Sequence, residues 1–79
     1  MRGAMAALTV EEADKIMTEI FGAGVLEFAR AAYVKNRVLA ITLRGSTAGQ
    51  EIRMNESDIL AKINEKFGRG TVEKIKFLI

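Results

Sequence analysis

The sequence predicts a small α+β domain, a three-stranded sheet with helices packed on one face. Three observations lead there. First, 79 residues that are 49% apolar make one domain with a modest core, because a chain this small buries only about 60% of the surface it exposes when unfolded. Second, two stretches repeat apolar residues every three or four positions, whereas "VLAITL" (38–43) alternates as a strand does. Third, these patterns follow one another as helix, strand, strand, helix, helix, strand, with no repeat, linker or Pro to divide them. Three strands cannot close a core alone, so the helices must cover one sheet face.

Residues 1–8, "MRGAMAAL", are weakly patterned and are expected as a flexible lead-in, Met1–Ala4 reading as a start-site extension, with the domain itself over 9–79. "TVEEADKIMTEIFG" follows as a helix. Thr9 is placed to N-cap it, Glu12 sits at the capping-box offset, and Leu8 and Ala13 hold the staple positions. Val10, Ala13, Ile16, Met17, Ile20 and Phe21 form its apolar stripe, and Gly22 stops it.

"VLEFARAAYV" (25–34) mixes helix-favouring alanines with strand-favouring Val, Phe and Tyr. The compact turn "KNR" directly before a strand argues for a hairpin, so a strand is expected to start near Glu27 or Ala29. After Gly45, "STAGQEIRM" is expected as a short helix capped by Ser46. Asn55 is placed to cap the next helix, "ESDILAKINEKF", with Asp58 at the capping-box offset and Ile59, Leu60, Ile63 and Phe67 as its stripe. Gly68 suits the residue after that helix. "TVEKIKFLI" closes the chain as a strand, with Glu73, Lys74 and Lys76 marking its solvent side.

Composition removes several classes of chemistry. There is no Cys, hence no disulfide or thiolate site, and no His, the commonest general base and transition-metal ligand. A non-enzymatic domain without metal or cofactor is the expectation. No apolar run nears the roughly 18 residues of a membrane span, and no signal-peptide layout is visible, so a cytoplasmic protein off the membrane is expected. The formal charge is only +2, but it is unevenly spread. From Ala29 onward ten basic residues face five acidic ones. That bias suits a polyanion such as nucleic acid, against the plainer reading of a solvated mixed-charge surface.

"LRGSTAGQEI" (43–52) has the look of a phosphate loop, with glycines around Ser46 and Thr47 between a strand and a helix. It matches neither G-x-x-x-x-G-K-[ST] nor G-x-G-x-x-G, so it reads as a strand-to-helix corner. Glu51, Glu56 and Asp58 form no pocketed acid–base pair and read as solubilising or capping groups. Among the aromatics, Phe21, Phe67 and Phe77 suit a core. Tyr33, flanked by Arg30, Lys35 and Arg37, is the candidate to stack on an unpaired base, against the plainer reading of a half-buried strand tyrosine.

Several pieces together resemble one family. These are "IFG" (20–22), "KNRVLAI" (35–41), "GSTAGQEI" (45–52), "ILAKINEKFG" (59–68) and "VEKIKF" (72–77). In order and spacing they are similar to the DciA-like domain, in which a helix ending in Gly precedes a hairpin. A Ser-Ser-Ala-Trp-Ala-Gln-Glu-Leu segment, a Leu-Leu-x-x-Leu-Asn helix and a Val-x-x-Ile-x-Phe strand follow. The resemblance implies a KH-like fold of type II order (α-β-β-α-α-β), action in bacterial DNA replication, binding to DNA, and help in loading or operating the replicative helicase DnaB. The sequence departs from the family where Ala48 stands for its Trp, and it reads as stopping at the last strand, where many members carry a further tail. "RMNE" (53–56) occupies the place of the KH G-x-x-G loop.

The resulting expectation is a nucleic-acid-binding module, with DNA ahead of RNA and DnaB as a protein partner. Arg44, Arg53, Lys62 and Lys66 around the central helices, and Arg30, Lys35 and Arg37 on the hairpin, are its phosphate-neutralising residues. An RNA-binding KH relative and a protein adaptor that touches no nucleic acid are the alternatives. The sequence leaves the oligomeric state open.

Overall fold

The structure, a computed structural model, describes residues 3–78, and of residues 3, 4 and 46–48 the backbone alone. Helix α1 spans Gly3–Phe21 and runs through a 3₁₀ turn (Ala23–Glu27) into strand β1 (Ala29–Lys35). Strand β2 (Val38–Leu43), helix α2 (Ser46–Met54), helix α3 (Glu56–Phe67) and strand β3 (Lys74–Leu78) complete it. This is the predicted α+β order. The sheet runs β1-β2-β3, with β1 antiparallel and β3 parallel to the central β2.

One sheet face carries the core. Leu39, Ile41 and Leu43 of β2 and Ile75 of β3 meet Ala13, Ile16 and Met17 of α1, Ile52 of α2, and Ile59 and Ile63 of α3. Fully burying each Leu, Ile or Met stabilises the fold by roughly 1.5–3 kcal/mol, so this layer supplies the main driving force. Phe21, Phe67 and Phe77 pack half-buried at its margin, as their apolar spacing predicts. Asn64 ties the helical layer to the last strand. Its Nδ2 donates to the Val72 carbonyl (2.9 Å), and its Oδ1 accepts the Val72 N–H (3.0 Å). That pair of bonds imitates a strand neighbour for a residue only 1% exposed.

Three helix starts differ from expectation. Thr9 does not cap α1, because the Ala-rich stretch before it is already helical from Gly3. Thr9 lies inside the helix and is fully buried, its hydroxyl donating to the Met5 carbonyl at 2.8 Å. The capping box and staple therefore do not form. Most of the expected lead-in belongs to the helix, and residues 1 and 2 lie outside the described residues. Helix α2 begins at Ser46 itself, with Gly45 as its N-cap. Asn55 does stand at the N-cap of α3, but its side chain donates backward to the Glu51 carbonyl (2.9 Å) and makes no capping bond. The last strand is narrower than "TVEKIKFLI", and Ile79 lies outside the described residues.

Two backbone features shape the sheet. Asn36 and Arg37 both take positive φ (52° and 62°), the values of a type I′ turn, which closes a two-residue hairpin. Asn tolerates this region, whereas Arg there costs about 1 kcal/mol relative to Gly. In β1 the register slips between Ala31 and Tyr33, so Ala32 is an extra residue and the alternation breaks. The Ala31 N–H at this bulge donates to Asp14 Oδ1 of α1 at 2.8 Å, which satisfies a backbone group on the outer strand. At the glycine-bracketed corner, Gly45 (φ 90°, ψ 151°) holds a conformation open essentially to Gly alone. Gly49 is buried because α2 sits so close to β2 that a Cβ there would meet Leu43 Cδ1 at 2.9 Å.

Candidate nucleic-acid interface

Among the described residues no helix lies over the other sheet face, and register defines its side chains in three rows. Lys35, Val38 and Lys74 form the row nearest the hairpin turn. Tyr33, Ala40 and Lys76 form the middle row, and Arg30, Thr42 and Leu78 the third. The central strand contributes the small or uncharged residues, and most of the cations stand on the outer strands. The result is a shallow trough along β2. Same-face neighbours along a strand repeat about every 7 Å, and the outer strands lie about 10 Å apart across β2.

The three strands together contain four cations, Arg30, Lys35, Lys74 and Lys76, and no acidic residue. Glu and Asp sit on the helices, in the 3₁₀ turn, or at Glu73 just before β3. Two aromatic rings are exposed on this side of the molecule. Tyr33, 42% exposed, lies in the middle row, and Phe28, 48% exposed, lines a groove at the far end with Arg30, Thr42, Arg44 and Glu27. The Arg44 N–H donates to the Phe28 carbonyl (2.7 Å), which extends the β1–β2 pairing to that end.

The structure thus divides the residues that the sequence groups together. Arg30, Tyr33 and Lys35 share the trough, Arg37 stands at its hairpin end, and Arg44 at the opposite end. Arg53, Lys62 and Lys66 are elsewhere. The Arg53 guanidinium lies 5.2 Å from the centre of the Phe77 ring, on the helical side. Lys62 and Lys66 line a groove between α1 and α3 with Glu12, Glu19 and Glu65, and Lys66 Nζ meets Glu12 Oε1 at 3.1 Å. Lys66 is thus paired within the chain, and Lys62 lines the same groove as these carboxylates. Conversely, Phe28, Lys74 and Lys76 join the candidate surface without having been singled out by the sequence. Lys74 and Lys76 alternate around Ile75, and that alternation was their signal. The Ala48 position falls on a side chain outside the described ones.

Among the described residues no group of three Asp, Glu, His or Cys is gathered to hold a metal, and no helix is long and apolar enough to cross a membrane.

Against protein families, residues 2–77 match the model described as "Dna[CI] antecedent, DciA". The chain belongs to the DciA family. No curated protein matches it. The DciA family is linked to loading of the DnaB helicase in bacterial replication, a loader role and not a catalytic one. The α-β-β-α-α-β order expected from that membership is the order observed. Within the DciA pattern, the helix asparagine is Asn64, whose two bonds to Val72 give that motif position a structural purpose.

Proposed function

We propose that this DciA-family chain is a non-catalytic nucleic-acid-binding module in DnaB helicase loading, and that a single strand lies along the trough of the open sheet face. One observation carries the reading: the strands hold four cations and no carboxylate, arranged around an exposed tyrosine. Arg30, Lys35, Lys74 and Lys76 neutralise phosphates, Tyr33 offers a ring for a base, and Arg37 and Arg44 extend the contact at either end. DNA is preferred to RNA on the strength of the family's place in replication. Lys62 and Lys66 face α1 carboxylates and stand outside this surface.

Fluorescence anisotropy with a labelled oligothymidine at several salt concentrations tests the reading, with duplex DNA and an RNA oligomer as competitors. The double variant K74E/K76E is expected to lower the slope of log affinity against log salt by about 1.4, from roughly 0.7 per phosphate on a single strand. K62E is expected to change it little. Binding indifferent to K74E/K76E would refute the trough. Helicase contact is assigned to the helical side, where Met5 and Leu8 of α1 expose apolar surface. Capture of DnaB that survives K74E/K76E supports this division of faces, and loss of capture refutes it.

A further inference from the structure

Arg37 is an anomaly that the fold does not explain. It holds the second position of a type I′ turn at φ 62°, where Gly is the unstrained choice. Nothing internal requires its side chain. The side chain is 65% exposed, and its partner in the chain, Glu73 Oε1 at 3.2 Å, is 61% exposed, so the pair adds little stability. The backbone tie at this place, from the Glu73 N–H to the Arg37 carbonyl (2.8 Å), needs no side chain and would persist with Gly. Strained non-glycine residues that packing does not account for mark positions kept for function.

The location indicates which function. Arg37 stands two residues after Lys35, across Asn36, and Glu73 directly precedes Lys74; Lys35 and Lys74 are the two cations of the row nearest the turn. Guanidinium recognises carboxylate and phosphate oxygens by the same N–H geometry. We propose that Arg37 is a phosphate ligand closing the hairpin end of the trough, and that Glu73 is its built-in competitor, occupying the guanidinium until a nucleic-acid phosphate displaces it. This rests on the nucleic-acid reading above and adds to it a regulated contact. Glu73 orients Arg37 in the free protein and taxes weak ligands, so a short or poorly charged strand gains less than a continuous one.

The test uses the full chain, a labelled oligothymidine, and thermal unfolding of the same variants. R37G is expected to raise Tm by about 4 °C while lowering the salt slope by about 0.7 and weakening binding severalfold. E73Q is expected to tighten binding about threefold, from the release of one charge-assisted pair, and to have no such effect in the R37G background. K62A and E65Q change net charge equally at sites away from the trough and serve as controls. If R37G weakens binding no more than K62A, or E73Q tightens it no more than E65Q, the proposal is overturned while the sheet-face reading stands. An R37G protein less stable than wild type overturns the claim of a strained side chain kept for binding. If the wild-type chain does not bind the oligonucleotide, both readings fall together.

Discussion

Asn64 offers the sharpest test of how the fold is held. Its amide makes two hydrogen bonds, 2.9 and 3.0 Å, to the backbone of Val72, a residue 1% exposed. In Asn64→Ala both Val72 groups lose their partner. Each such bond contributes about 1 kcal/mol net, and a buried group left unsatisfied costs about 1–3 kcal/mol. Asn64 itself is half-buried, so water reaches part of the site and the low end applies. The better helix propensity of Ala in α3 returns about 0.5 kcal/mol. The balance is a loss of about 1.5 kcal/mol, or about 6–12 °C in Tm for a domain of this size. Circular dichroism at 222 nm during thermal and urea unfolding measures it. Asn64→Asp is the informative companion. It keeps the shape and the acceptor for the Val72 N–H, but sets a carboxylate oxygen against the Val72 carbonyl. It is expected to lose at least as much as Asn64→Ala. A fall of under about 2 °C in Asn64→Ala, or an Asn64→Asp protein close to wild type, would refute the clamp.

Two further predictions concern the backbone. Asp14→Ala removes the acceptor of the Ala31 N–H at the β1 bulge and should cost about 1–2 kcal/mol, with amide exchange at Ala31 accelerated more than at its neighbours. Gly45→Ala forces a Cβ into a conformation (φ 90°, ψ 151°) that L-residues avoid and should cost about 1–3 kcal/mol in the same melts, although among the described residues nothing beyond its chain neighbours lies within 4 Å of the added atom.

Much of this fold is written in local pattern. The bounds of β2, α2 and α3 follow from alternation, stripe spacing and the glycines after Leu43 and Phe67. What escaped was departure from simple local rules or pairing between distant segments. Thr9 looks like a cap because exposed threonines prefer caps, yet here it is buried and bonded back to Met5. "VLEFARAAYV" read ambiguously because a 3₁₀ turn ends in it and a bulge at Ala32 breaks its alternation. The candidate site divides the same way. Arg30, Tyr33 and Lys35 share one strand, and their proximity is visible in the sequence. Lys74 and Lys76 join them only because β3 pairs with β2, which no local pattern declares. That Lys62 and Lys66 share a groove with Glu12 and Glu19 is equally hidden, because those carboxylates arrive from α1.

The outer strands reach the trough by different routes. A two-residue turn joins β1 to β2, whereas β3 arrives only after both α2 and α3 have been threaded between them. The hairpin can therefore form from neighbouring residues, and the parallel pairing waits on closure of a long loop. Tyr33 belongs to the early half and Lys76 to the late half, with Ala40 between them. A ligand touching both recognises only the completed sheet. By mass action it then favours the docked form of β3, so occupancy and attachment of the last strand become one equilibrium.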